Sequence, residues 1–202
     1  LGIVPTIELL KRRPENVIEI VLSSKAAGMG ITKILELAKE IPVTVSDKQL
    51  NILSDRGDMH VAAIFNKYSS ELNPDQNHLL LYNPDDAGNL GTIMRSMLAF
   101  GFHDLALVDS QLDPLHPKSV RASMGACFAI QMKSFANLAD YSAVFKHKLY
   151  GFSANAKQEL SLLQPRKPFG LVFGNEGSGL PPEVLTGCLL YTSDAADEED
   201  SV

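Results

Sequence analysis

HLLLYNPDDAGNLGTIMRSMLAFG, residues 78–101, decides the fold. HLLLYN (78–83) is an apolar run of the length and kind that a fully buried strand needs. A Pro-Asp turn follows. NLGTIMRSMLAFG (89–101) then reads as a helix with Asn89 at its N-cap and Gly101 as a left-handed C-terminal stop. Strand, turn and helix in that order make half of a βαβ unit, and the chain repeats the pattern on both sides. DLALVD (104–109), LYGFSA (149–154) and FGLVFG (169–174) are strand-like, FAIQMK (128–133) is extended, and PKSVRASMGA (117–126) and NLADYSAVFKHK (137–148) are helical. This alternation predicts an α/β fold with a mostly parallel sheet, whose ligands sit beyond the carboxyl ends of the strands.

Upstream lies a smaller α/β unit. Ile7, Leu9 and Leu10 mark a helix that stops near Pro14. VIEIVLS (17–23) and MHVAAIFNKY (59–68) are strands, ITKILELAKEI (31–41) is a helix, PVTVS is a short strand, and DKQLNILS is a short helix with Asp47 as N-cap. SSELNPDQN (69–77) is polar and turn-rich and reads as a linker. The expected division is therefore a small domain at 1–68, a linker at 69–77, a larger domain at 78–187 and a tail at 188–202.

Composition removes several classes. Apolar residues make up 45% of the 202, enough for a core, and no run is long enough to span a membrane. Cys127 and Cys188 form no CxxC, and the five histidines lack metal spacing, so neither a disulfide framework nor a metal site is expected. This cysteine usage suits a reducing, cytoplasmic setting. The net charge of -6 is mostly a property of the tail. Five of the 24 acidic residues lie within 194–200, and the 18 basic residues then face 19 acidic ones. A near-neutral body neither favours nor excludes a nucleic-acid partner.

Three stretches carry candidate chemistry. In FGNEGSGLPPEVL, Gly174, Gly177 and Gly179 allow positive φ and close approach of a ligand to the backbone. The order GxxGxG is not the dinucleotide fingerprint, and no P-loop Gly-Lys-Ser/Thr occurs. A plain strand-to-helix turn is the competing reading. In NPDDAGNLGTIMR, Asn89 turns back toward the loop, and Arg95 interrupts an apolar, Met-rich helix. Arg95 is either a snorkelling surface residue or a cation placed for a phosphate or carboxylate. VRASMGA (120–126) adds Arg121, for which a surface ion pair is the commoner role. Lys11, Arg12, Arg13 and Lys33 form a basic face or simply a solvated helix end. Cys127 reads as core.

NPDDAGNLGTIMRSMLAFGF, VRASMGACF and LVFGNEGSGLPPEVL, in that order and spacing, resemble the SpoU (TrmH-like) RNA methyltransferases of the knotted SPOUT superfamily. The resemblance covers residues 78 to about 187, and the first segment is similar to the family's small RNA-binding domain. It implies S-adenosylmethionine-dependent 2′-O-methylation of a ribose in ribosomal or transfer RNA. It implies Arg95, Asn89 and Glu176 as catalytic residues, with Arg95 also on the RNA phosphate. Phe173, Gly174, Asn175, Gly177, Gly179 and Ser123 are implied at the cofactor, and Arg121, Lys11, Arg12 and Arg13 at the RNA. A homodimer, no metal and no membrane are also expected. From Cys188 on, CLLYTSDAADE departs from the family's strand, Ser-Leu-Asn segment and final helix, and resembles translated sequencing adaptor. The expectation is a C-terminally truncated chain with a disordered, non-native tail, weak or absent cofactor binding and no turnover. A non-catalytic RNA-binding protein of the same fold is the alternative.

Overall fold

A computed structural model describes residues 1–53, 59–152 and 164–191. Its contacts divide the chain into two compact units. One comprises Leu1–Ser69, Asp86–Phe100 and Asp113–Ile130. The other comprises Ser70–Asp85, Gly101–Leu112 and the described residues from Gln131 on.

The first unit is built on a three-stranded sheet. Its strands are β1 (Val17–Leu22), β2 (Val43–Val45) and β3 (Val61–Phe65), in the order β2-β1-β3. β1 is parallel to β2 and antiparallel to β3. The alternation in β1 sorts its faces. Ile20 and Leu22 pack with Leu10 of α1 (Ile3–Arg12) and with Ile31, Ile34 and Ala38 of α2 (Met29–Ala38). Val21 packs on the other face with Ala62 and Leu50 of α3 (Asp47–Leu53). Asp47 is not the cap expected of it: the Ser46 hydroxyl accepts the Gln49 N–H at 3.3 Å. Asp47 instead reaches across to Ser24, whose N–H and hydroxyl hold its carboxyl below the usual range.

This unit also holds α4 (Ala87–Ala99) and α5 (Pro117–Ala122). They cross without space for a side chain at Gly91. A Cβ there would stand 2.5 Å from the Ser119 carbonyl oxygen and 2.6 Å from the Ala122 Cβ. Gly91→Ala gains about 1 kcal/mol of helix propensity, yet it must push a backbone aside. A net loss of about 2 kcal/mol is expected, read as a lower midpoint in urea unfolding with an unchanged slope.

The second unit carries six strands: β4 (His78–Tyr82), β5 (Asp104–Val108), β6 (Gln131–Phe135), β7 (Lys148–Phe152), β8 (Phe169–Phe173) and β9 (Leu189–Tyr191). Their order is β6-β5-β4-β8-β7-β9, and every pairing is parallel. β5 is buried along its whole length, as a strand covered on both faces must be. Leu80, Ala106, Leu149 and Val172 pack with Tyr141 and Phe145 at α6 (Leu138–Val144) and Val184 of α7 (Pro182–Leu185). Residues 70–77 are tied to this unit. Leu72 is buried, the Asn73 N–H donates to Asp104 at 2.7 Å, and Met132 bonds the Ser70 hydroxyl in both directions. Leu189–Tyr191, at the start of the expected tail, forms β9 beside β7. The last two residues of the expected strand 149–154, the last of the expected helix 47–54, and the tail from 192 on lie outside the described residues. No helix among the described residues is long and apolar enough to cross a membrane.

The amino-terminal end of this sheet buries a titratable group. His78 has no exposed surface; it accepts from the Tyr141 hydroxyl at Nδ1 (2.9 Å) and donates from Nε2 to the Asn73 carbonyl (2.8 Å). That pairing assigns the neutral ring with its proton on Nε2. His147 stacks on it at 4.2 Å, Phe145 meets it edge-on, and Asp104 lies nearby. Burial pushes the His78 pKa below 6.5, against the pull of the Asn73 carbonyl. Below pH 6.5 the unfolded chain therefore binds a proton that the folded chain refuses. Stability falls with pH until the lower folded value is passed. A Tm that falls between pH 7 and pH 5, with a shallower slope in His78→Gln, is the expected result.

Candidate functional site

β4 lies where the strand order reverses, with β5 on one side and β8 on the other. Such a switch point opens a crevice beyond the strands' carboxyl ends. Here the crevice is stitched across. Asn83 follows β4 at φ 46 and donates its N–H to the Val108 carbonyl at 2.8 Å. The Asn83 carbonyl in turn accepts the Asn175 side-chain amide at 2.9 Å. The loops leaving β4 and β8 are thereby held together.

The β8 loop is compact because of Asn175 and two glycines. Asn175 and Gly179 exchange backbone hydrogen bonds at 3.2 and 2.9 Å. The Asn175 Oδ1 accepts the N–H groups of Gly177 and Ser178 at 2.9 and 3.0 Å. Gly174 lies against the returning strand of the loop: its Cβ would sit 2.2 Å from the Gly179 carbonyl carbon. Gly179 has φ 68, and nothing lies within 4 Å of the Cβ it lacks. Asn175 thus shapes the loop with its side chain, while Gly177 and Gly179 leave an open backbone flank. Pro181 caps α7 and Pro182 is its first residue, where the missing N–H costs nothing. Glu176 is exposed at the tip.

Phe173, the last residue of β8, is 37% exposed and stacks on Phe152 at the end of β7, with ring centroids 4.6 Å apart and planes at 16°. An open glycine backbone beside an aromatic face suits a flat heteroaromatic ring with hydrogen-bonding edges. Phe152 was not among the sequence candidates. Its signal is its place at the carboxyl end of LYGF, one strand away from the loop.

In the first unit the structure corrects one reading. The N-cap of α4 is Asp86, not Asn89. The Asp86 carboxylate accepts the Asn89 N–H at 2.8 Å and the Lys118 ammonium at 2.5 Å, which hold its pKa below the usual carboxylate range. The cap lies three residues earlier than expected because an Asp was available there. Asn89 sits in the first turn, exposed. Arg95 follows on the same helix, also exposed, and makes no ion pair among the described residues. It lines a groove of about 420 Å³ together with Glu8, Leu98 and Met124.

The other candidates in this unit divide by environment. Ser123 is fully buried; its hydroxyl donates to the Val120 carbonyl at 2.8 Å and accepts the Gly125 N–H at 3.2 Å. That hydroxyl holds its own turn together. Arg121 is half-buried in the last turn of α5. Lys11 and Arg12 are exposed and paired with Glu8 at 2.9 and 3.4 Å. The Arg13 guanidinium covers the Tyr68 ring at 4.7 Å, and burial pushes the Tyr68 hydroxyl up to about 12. Cys127 is core, as read, with its thiol raised to about 11 by burial. Among the described residues no group of His, Cys, Asp or Glu could hold a metal ion.

A sequence model of the SpoU rRNA Methylase family matches residues 76–193. The chain is 26% identical over 184 residues to YacO of Bacillus subtilis, a protein named for the TrmH family of tRNA/rRNA methyltransferases; this covers 89% of the chain and 72% of YacO. RlmP of the same organism, a 23S rRNA (guanosine(2553)-2′-O)-methyltransferase, is 29% identical over 128 residues, 62% of the chain and 51% of RlmP. In a Synechocystis relative, 33% identical over 110 residues, the match spans 40% of that protein and 53% of this chain. Among solved structures, an RNA methyltransferase of the TrmH family from Porphyromonas gingivalis superposes with a TM-score of 0.80 at 25% identity, covering 100% of this chain and 81% of that one. The SpoU methyltransferase AviRb of Streptomyces viridochromogenes has the same fold, with a TM-score of 0.81 at 20% identity and the same coverage of both chains.

Proposed function

Because the chain belongs to the SpoU rRNA Methylase family, we propose that it transfers a methyl group from S-adenosylmethionine to the 2′-hydroxyl of a ribose in ribosomal or transfer RNA. The observation that carries this reading is the family match, which runs through both the β4–α4 segment and the β8 glycine loop. The 2′-O activity in RlmP's name favours ribose over base. Solved relatives include AviRb in complex with AdoMet.

The residues present fit such a cofactor. The backbone of Gly174–Gly179 has an open flank at Gly177 and Gly179, and Phe173 offers an aromatic face beside it. When bound, the cofactor supplies a methyl group on a positively charged sulfur, open to attack by an oxygen. Glu176 at the loop tip and Asn89 in the first turn of α4 are proposed to orient the reacting groups. Arg95 holds the target's phosphate and stabilises charge. It is not the base, because a guanidinium keeps its proton at any working pH. That phosphate assists removal of the 2′-hydroxyl proton as the oxygen–methyl bond forms and the sulfur–methyl bond breaks, leaving a neutral thioether. Residues 1–68, with Arg121 beyond them, are proposed to hold the RNA, and a pair of chains in the cytoplasm is the proposed working form.

The test is a single-turnover incubation with labelled S-adenosylmethionine and total RNA, with protein in excess. Label in an alkali-resistant dinucleotide is expected, since a 2′-O-methyl group blocks strand cleavage at that sugar. Label confined to a base would overturn ribose as the target. RNA binding without label would favour the non-catalytic reading.

A further inference from the structure

Met124 is a bulky residue at φ 53, and Gly125 follows at φ 84. An unbranched, apolar side chain rarely accepts this region, because its Cβ crowds the backbone. Asn, Asp or Gly would sit there at lower cost. Burial does not explain the choice, since Met124 is 44% exposed. Nor is the turn free to relax. A Cβ at Gly125 would meet the Glu8 Cβ at 2.8 Å and the Pro5 Cα at 3.0 Å, so α1 presses directly on it. The fold therefore holds a strained, exposed methionine in place, as happens where a side chain is needed for function.

Met124 lines the same groove as Arg95. The groove's other walls are apolar, from Val4, Leu98 and Ala99, with Glu8 at one side. Glu8 already pairs with Lys11 and Arg12, whereas Arg95 has no ion pair among the described residues. The groove thus offers an uncompensated guanidinium next to a soft apolar surface, within a volume of about 420 Å³. That size lies in the usual range of small-ligand sites. A nucleotide has the complementary build: an anionic phosphate joined to a flat base that packs well on polarisable sulfur.

We propose that this groove receives one nucleotide of the substrate RNA, with its phosphate on Arg95 and its base against Met124 and Val4. The proposal rests on the reading of the chain as an RNA methyltransferase. It adds that Met124 helps choose the nucleotide, and that α1 forms part of the target site.

Met124→Gly tests this with two readouts of opposite sign. Glycine accepts φ 53 without strain, so Tm is expected to hold or rise. Binding of a short fluorescein-labelled single-stranded RNA, read by anisotropy, is expected to weaken about tenfold, because a buried apolar contact is lost. Arg95→Ala, measured alongside, probes the functional reading itself. Unchanged RNA binding in Met124→Gly with weakened binding in Arg95→Ala overturns the groove and leaves the methyltransferase reading standing. Unchanged binding in both variants, or no RNA binding by the parent chain, overturns both. A parent dimer that becomes a monomer on Met124→Gly, with RNA affinity per chain unchanged, assigns the groove to a second copy of the protein and overturns the proposal.

Discussion

Arg95→Ala is expected to lower the single-turnover rate of methyl transfer about 1,000-fold, while S-adenosylmethionine affinity stays within about twofold of the parent. The split follows from where Arg95 stands. It is exposed on α4, makes no ion pair among the described residues, and belongs to the unit that does not contain the glycine loop. Its charge is available to a phosphate, and its loss leaves the proposed cofactor backbone untouched. Arg95→Lys keeps the charge but not the planar fork that grips two phosphate oxygens. A loss of about tenfold to 100-fold is expected there. An Arg95→Ala chain that methylates RNA at the parent's rate would remove Arg95 from the chemistry.

Gly174→Ala is expected to weaken S-adenosylmethionine binding at least about 100-fold, or roughly 2.7 kcal/mol. The added methyl group would lie 2.2 Å from the Gly179 carbonyl carbon, 2.3 Å from its oxygen and 2.5 Å from the Leu180 nitrogen. All three atoms are backbone, so no rotamer change relieves the clash. The loop must open, and the paired hydrogen bonds between Asn175 and Gly179 break. β8 ends at Phe173, so the sheet survives and Tm drops only modestly. Gly187→Ala is the control: it lies outside the loop, and its Cβ would meet only the Val184 carbonyl oxygen at 3.5 Å and a Leu138 methyl at 3.7 Å. Equilibrium dialysis on the two variants separates loop geometry from glycine content. Equal affinities would show that the loop's closed shape is not what the cofactor needs.

Much of the fold is legible because burial on both faces forces unbroken apolar runs, and LLLY, LALV and GLVF could be little else. Boundaries set by one polar atom are less legible. DDAGN offers two adjacent Asp residues and an Asn as caps, and only the backbone turn after Pro84 selects Asp86. FAIQMK (128–133) reads as extended. In the structure Ala126–Ala129 is a 3₁₀ turn, and β6 begins at Gln131, because Cys127 and Phe128 are drawn into the core from a turn. At the site, the glycines announce themselves. Positive φ at Met124 does not, since tertiary packing imposes it on a residue that carries no such signal. Ser123 is implied at the cofactor only by the family resemblance; in the structure it is buried and its hydroxyl bonds within its own turn.

The strand order also fixes when the site can exist. β4 finds β5 within one crossover, His78 pairing with Asp104, but its other neighbour, β8, is far along the chain, with His78 opposite Gly170. Joining β4 to β8 is the most distant pairing in the sheet, and distant pairings carry the largest loop-closure entropy and form slowly. The Asn175–Asn83 stitch can form only after that event. During synthesis and refolding, the crevice is therefore among the last features to appear. Ligand-binding capacity should lag behind the recovery of helical signal, and a refolding chain passes through a compact stage that cannot yet bind.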